Sequence, residues 1–382
     1  MITNKGINRR EMIRGTLSGA ALLSITPGPI QAALGNHIED RSEASVKGKP
    51  GSRPAGDIKI GRKFRWANRE NESDMLFLKQ IGVSWIKMYW GGKDTPLSEL
   101  AVQQDRFSKF DLKIYGIAYG SDSSDEGIQR FCEFIWACKK NEIPLIRTGF
   151  GPGAAVGQTD YNTRPGREYK ARIFDLDEAK KKWTSTTFVS AEPQWEKFAK
   201  FLDAVLPEAE KAGVKLAYHP IDPPIKVQNN VESVLWDYNS YKRAEKLSKG
   251  SPSWGLALCV GVWAQGGDTL GKNPIEMIRD FGARDKIFMV DFRNVDRPMP
   301  RFQEVFPDDG YLDMYAIMKE LRKVGFDGLL IPDHIPAIDG DGAKSDDMRR
   351  AGTSLSIGYI RGLMQAANSE LGLPNKNIIK IY

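Results

Sequence analysis

Histidine and cysteine are both scarce in this chain, at three of each in 382 residues. Three cysteines (Cys132, Cys138 and Cys259) cannot build a disulfide framework, so stability has to come from packing. The histidines are His37, His219 and His334. His37 sits in a polar N-terminal stretch, which leaves a histidine-dependent site only the other two. Charge of one sign is also in short supply. The formal net charge is +6, and the first fourteen residues supply +3 of it through Lys5, Arg9, Arg10 and Arg14 against Glu11. The rest is a mixture of both signs, which excludes a nucleic-acid footprint. Also missing is a glycine-rich phosphate loop after the first predicted strand, which argues against an open, doubly wound nucleotide-binding sheet.

What is present is a core. Hydrophobic residues make up 41% of the chain, and 42.7 kDa fits one large α/β barrel with insertions. The start has its own character. Asn8-Arg9-Arg10-Glu11-Met12-Ile13-Arg14 places paired arginines before a weakly hydrophobic run over 15–25, with small residues at Gln31-Ala32-Ala33. This predicts a twin-arginine-type export signal over residues 1–33 and a periplasmic destination, with no stable membrane insertion once it is cleaved. The alternative is a basic N-terminus on a cytoplasmic protein. Residues 34–57, rich in Gly, Ser, Lys and Pro, read as a disordered linker, and 371–382 as a C-terminal tail.

Between them, over 58–370, strand-like and helix-like stretches alternate. Strands are predicted at 64–67, 85–89, 114–118, 145–148, 215–218, 256–259, 287–291 and 329–331. Helical spacing links Ile128, Phe131, Ile135 and Trp136 within 125–140, and Phe198, Phe201, Leu202 and Val205 within 195–211. The period returns with Met314, Ile317, Met318 and Leu321 within 313–324, closed by Gly325. A last helix is expected over 346–368. Eight strands alternating with helices give a (β/α)8 TIM barrel in a single domain. One connection breaks the rhythm. Residues 149–189 are long and polar, and read either as a lid over the C-terminal face or as a disordered insertion.

The last four strands end on chemically active residues. The fifth runs into His219, the sixth into Cys259, the seventh into Asp291 and Arg293, and the eighth into Asp333 and His334. Imidazole, thiolate and carboxylates converging on one side of a barrel mouth suit a divalent transition metal, with Mn, Fe, Co and Zn all compatible. His219, Cys259, Asp291 and Asp333 are the expected ligands. Each also has a plainer explanation: a hydrogen-bonded histidine, a small buried hydrophobe, an aspartate paired with Arg293, or an aspartate capping a turn. Trp66, Tyr89, Trp90 and Tyr119, near the early strand ends, are candidates to line a sugar pocket.

Several of these segments occur together in one family. His219-Pro220-Ile221-Asp222-Pro223-Pro224 is close to His-Pro-x-Asp-Pro-Pro, Cys259 falls in a Phe-Cys-x-Gly type segment, and Val290-Asp291-Phe292-Arg293-Asn294 parallels a His-(Leu/Phe)-Arg-Asn segment. Asp309-Gly310-Tyr311-Leu312-Asp313-Met314, then Gly325-Phe326-Asp327-Gly328, then Pro332-Asp333-His334 follow the same order. Phe64-Arg65-Trp66 and Gly358-Tyr359-Ile360-Arg361-Gly362-Leu363 agree as well. The chain resembles the mannonate dehydratase family, within the xylose-isomerase-like group of barrels, over roughly residues 62 to 367.

That resemblance implies dehydration of D-mannonate to 2-keto-3-deoxy-D-gluconate with a divalent metal, Mn or Fe. It makes His219, Cys259 and Asp333 metal ligands and His334 an acid/base residue, so that Asp333 and His334 carry the chemistry. Two departures stand out. Asp291 replaces a histidine ligand on the seventh strand, and residues 335–354 contain no tyrosine where the family carries a functional one. Arg293 and Arg147 are candidates for gripping a substrate carboxylate. The expected partners are a small sugar acid and, at most, further copies of the chain. A sugar isomerase or epimerase on the same barrel, and an exported sugar-binding protein without catalysis, are the alternatives.

Overall fold

Charged residues inside strands are what make the first strand hard to place from sequence. Lys59–Phe64 (β1) carries Arg62 and Lys63 yet is buried almost throughout, so the strand lies before the 64–67 expected for it. The computed structural model describes residues 56–64, 72–92, 94–341 and 349–375. The expected leader, nearly all of the linker, Arg65, Trp66 and the tail beyond 375 lie outside the described residues.

Seven further strands follow: Trp85–Tyr89 (β2), Lys113–Ala118 (β3), Leu145–Thr148 (β4), Lys215–Tyr218 (β5), Trp254–Cys259 (β6), Ile287–Asp291 (β7) and Leu329–Ile331 (β8). All neighbours pair in parallel, and β1 closes on β8, giving an eight-stranded barrel. Every residue of β6, β7 and β8 is buried, because helices cover one face and the barrel interior fills the other. The described residues belong to one compact unit. No helix among them is long and apolar enough to cross a membrane.

The helices follow their end signals. Asp125–Lys140 starts on Ser124, whose hydroxyl accepts from the Gly127 N–H. Its core face is Phe131, Phe134, Ile135 and Cys138. Trp136, expected on that face, is instead exposed and donates from Nε1 to Glu208 at 2.9 Å. Glu192–Ala212 ends at Gly213, whose φ of 69° a side chain would oppose. Met314–Lys323 is capped by Asp313. The final helix is Arg350–Glu370.

The 149–189 connection is not a disordered insertion. Strands Asp160–Thr163 and Lys170–Asp175 form a hairpin, and the short helix Leu176–Lys180 follows. That hairpin joins two strands from the segment after β7, Asn294–Val295 and Arg301–Val305, in a four-stranded antiparallel sheet. Its flanks are pinned to the loop after β5: Asn229 Oδ1 accepts from the N–H groups of Thr184 and Ser185. The sheet reaches over the end of β8, where Lys170 and Ala337 exchange backbone hydrogen bonds of 2.7 and 3.0 Å. It caps the barrel mouth.

Candidate metal centre at the barrel mouth

Register explains why distant residues meet. Cys259 is the ladder partner of Asp291, and Asp291 that of Ile331, which puts Asp333 two residues further along the same face. Arg147 pairs with Ala217, two residues before His219. Across the mouth, Lys63 is the ladder partner of Lys87. The uppermost ring of inward side chains is therefore divided. Lys63, Lys87 and Arg147 come from β1, β2 and β4, while His219, Cys259, Asp291 and Asp333 come from the ends of β5 to β8.

The second half holds a tight group. One ligand atom each from His219, Cys259 and Asp291 lies within 4.8 Å of the others, and all three residues are buried. His219 Nδ1 donates to the Pro220 carbonyl at 2.6 Å. That fixes the neutral tautomer and leaves Nε2 as a bare lone pair. Nε2 then faces Asp291 Oδ2 at 3.3 Å, and neither Nε2 nor either Asp291 oxygen has a hydrogen-bond partner. Two acceptors facing each other in a buried site cost free energy unless a proton or a metal cation lies between them. Burial and nearby Arg147 push the imidazole pKa down, which favours the neutral ligand form. Burial pushes the Cys259 thiol up, with Arg293 opposing, so a metal has to displace its proton. The donor set of nitrogen, sulfur and oxygen fits a divalent transition metal.

Asp333, expected as a fourth ligand, stands outside that group. Its Oδ1 meets Lys63 Nζ at 3.3 Å and Lys87 Nζ at 3.9 Å, and its Oδ2 meets His334 Nε2 at 3.2 Å and Arg293 Nε at 3.6 Å. Burial would raise this carboxyl, but His334 and the lysines around it hold it well below the ordinary range.

His334 is poised in both directions. Nδ1 lies 2.7 Å from Glu304 Oε1 on the capping strand. Nε2 faces the acceptor Asp333 and also Arg172 Nη1, a donor 3.3 Å away on the hairpin. Either protonation state finds a partner, as an acid/base group requires.

Arg293 does not stand open to a substrate. It is 1% exposed and engages Asp222 at 2.5 Å, Glu304 at 3.4 Å and Asp333 at 3.6 Å. Gly261 makes room for it, since a Cβ there would collide with the arginine's Cγ. Three carboxylates claim one guanidinium, so Arg293 holds the cap to the barrel. Arg147 is half-buried, and its Nε has no hydrogen-bond partner. Of the aromatics, Tyr89 lies under Lys87, 5.2 Å from ammonium to ring centroid. Trp90 and Tyr119 pack on Phe134 of the Asp125–Lys140 helix, at 5.0 and 4.0 Å between centroids, and are partly buried against the core.

Lys63, Lys87, Arg172 and Glu304 carry no motif. The one signal for Lys87 was its place inside an otherwise apolar strand, Trp-Ile-Lys-Met-Tyr. A cleft of about 620 Å³ near Lys215, Arg284 and Phe288 lies at the opposite, N-terminal face, where barrels carry stability rather than chemistry.

A closed parallel barrel with a buried imidazole–thiol–carboxylate group at its C-terminal mouth defines a TIM-barrel protein with a candidate metal centre. The family model for D-mannonate dehydratase (UxuA) matches residues 155–371, more than half of the chain. The chain belongs to the D-mannonate dehydratase family. Mannonate dehydratase 2 of Halalkalibacterium halodurans is 31% identical over 188 residues, covering 47% of this chain and 52% of that protein. Mannonate dehydratase of Lactococcus lactis subsp. lactis is 33% identical over 183 residues, covering 45% and 48%. The chain thus spans about half the length of the curated relatives it matches. The crystal structure of mannonate dehydratase from Streptococcus suis serotype2 superposes with a TM-score of 0.73 at 23% identity, covering 82% of this chain and 96% of that one. D-psicose 3-epimerase superposes at 0.55 with 12% identity, covering 80% and 99%. Both likenesses concern the fold.

Proposed function

We propose that this chain is a metal-dependent sugar-acid dehydratase that converts D-mannonate, or a closely related hexonate, to the 2-keto-3-deoxy acid and water. The observation that carries this reading is the buried pair of facing acceptors, His219 Nε2 and Asp291 Oδ2, beside Cys259, in a chain of this family. His219, Cys259 and Asp291 would hold the ion, with Mn or Fe suited to the mixed donor set and Asp333 as a neighbouring carboxylate. A bound divalent ion supplies Lewis-acid stabilisation of the charge that develops on the substrate's oxygens.

The chain's own residues do the rest. The reaction removes the proton α to the carboxylate and expels the β-hydroxyl with a proton as water. The resulting enol tautomerises to the 2-keto-3-deoxy acid. His334 Nε2, kept in place through Glu304 at Nδ1, holds or delivers a proton at the rim. Asp333 orients it. Arg147 on the cationic half offers the grip for the substrate carboxylate, and Tyr89 a phenol at the mouth. The capping sheet limits water access. The paired arginines near the N-terminus support export to the periplasm, which cell fractionation tests.

The deciding experiment supplies Mn²⁺ and D-mannonate to the purified protein and follows the product by NMR. A 2-keto-3-deoxy acid is expected. A product of unchanged mass would replace this reading with isomerisation, and tight binding without turnover across metals would make the chain a binding protein. Cys259→Ala is expected to lose both metal and activity.

A further inference from the structure

Lys87 is a lysine with no exposure at all, inside a barrel strand. Its ammonium has no hydrogen-bond partner. It lies 3.7 Å from Asp291 Oδ1 and 3.9 Å from Asp333 Oδ1, between two carboxylates that would otherwise repel one another. Its ladder neighbour Lys63 reaches the same Asp333 oxygen at 3.3 Å. The four side chains bring two ammoniums to two carboxylates, while Arg293, 3.6 Å from Asp333, is shared with Asp222 and Glu304. Strands β1 and β2 lie outside residues 155–371 that match the family, so the family match says nothing about either lysine.

A divalent ion shared by His219, Cys259 and Asp291 would add net positive charge, even after the Cys259 thiol gives up its proton, beside a carboxylate that Lys87 already neutralises. Buried like charges repel strongly at such separations, and no donor or acceptor anchors the ammonium geometrically. We propose that Lys87 is the built-in counter-cation of Asp291 and Asp333, that a divalent ion displaces it from them, and that this competition sets the metal affinity of the site. The proposal rests on the metal-centred reading above. It gives the carboxylate at position 291 a matched partner: the anion that strengthens attraction for a metal is held in check by a lysine.

The test uses the full chain stripped with EDTA and Mn²⁺ alone as the probe, with binding followed by calorimetry for wild type, Lys87→Met and Lys87→Gln. Both variants are expected to bind Mn²⁺ about tenfold more tightly or better, the size of coupling found between contacting charged groups. Lys87→Met is expected to melt earlier than wild type in EDTA and to gain more from Mn²⁺. If Lys87→Met fails to fold without metal, Lys87→Gln, whose amide still donates to a carboxylate, carries the measurement. Unchanged or weaker Mn²⁺ affinity in the folded variants overturns the proposal. Unchanged metal affinity with a raised KM for the sugar acid also overturns it and assigns Lys87 to the substrate. If wild type and variants alike fail to bind Mn²⁺ at millimolar concentration, the metal-centred reading falls, and the displacement with it.

Discussion

At the scale of the residue, the site depends on which polar atoms are left without partners. His219 keeps a lone pair at Nε2 because the Pro220 carbonyl can only accept, so Nδ1 must donate. Replacing His219 with Ala is expected to leave the barrel folded and to cost at least about a hundredfold in metal affinity, measured by metal analysis after dialysis. Glu304→Gln removes the carboxylate at His334 Nδ1 and weakens Arg293's hold on the cap. A drop in kcat of about ten- to a hundredfold is expected, within what a positioned acid/base group contributes. An unchanged kcat would remove Glu304 from the chemistry. Of these residues, His219, Cys259 and Asp291 are legible in the sequence because each ends a strand whose apolar run announces it. Arg293 is legible as important but not as to role, because its three carboxylate partners come from three different segments. Glu304 and Arg172 are invisible at that level, since the two strands that carry them meet each other across 126 or more residues.

At the scale of the element, the capping sheet is the part that sequence alone leaves open. Short strands such as Asp160–Thr163 and Lys170–Asp175 offer too little apolar alternation to mark a half-buried strand, and pairing with each other and with Arg301–Val305 makes them strands. Asp309 ties the hairpin to the segment after β7: Arg164 Nε donates to its Oδ2 at 3.1 Å and the Tyr169 hydroxyl at 2.5 Å. Burial raises the Asp309 carboxyl, but those two bonds outweigh it and bring it below 3.8. A carboxyl lowered by folding stabilises the fold above its ordinary range, and that contribution fades as pH falls through the depressed value. Hydrogen exchange of the hairpin amides is therefore expected to keep its protection down to about pH 4 and to lose it below. In Asp309→Asn the protection is expected to be weaker already at neutral pH, by about 1.5–3 kcal/mol in local opening free energy.

At the scale of the whole molecule, the barrel is the most predictable feature. Eight apolar runs alternate with amphipathic helices, and that pattern has few other solutions. The misplaced element was β1, where Arg62 and Lys63 disguise a buried strand, and the same disguise hid the cationic half of the mouth. Because the candidate ligands come from the ends of β5, β6 and β7, a bound ion would join three separate strands of the native barrel and nothing in the unfolded chain. Chelation is expected to lower stability by about 2.7 kcal/mol relative to metal at a hundred times its Kd. That amounts to several degrees in Tm, read by calorimetry with and without EDTA. A Tm indifferent to EDTA would place the ion elsewhere or nowhere.

The two halves of the cap are attached to the barrel very differently, and this bears on how the family can diversify. Asn294–Val295 follows Asp291 directly out of β7 and leads into Arg301–Val305, so a change in that path re-aims Asp291. The hairpin Asp160–Thr163 and Lys170–Asp175 supplies none of the three clustered donors and meets its neighbour across three residue pairs, Arg301 with Asp175, Phe302 with Phe174 and Gln303 with Ile173. Under the proposed function, lengthening or shortening the hairpin would alter which sugar acid enters and leave the three clustered donors in place, provided Arg172, which faces His334, is kept.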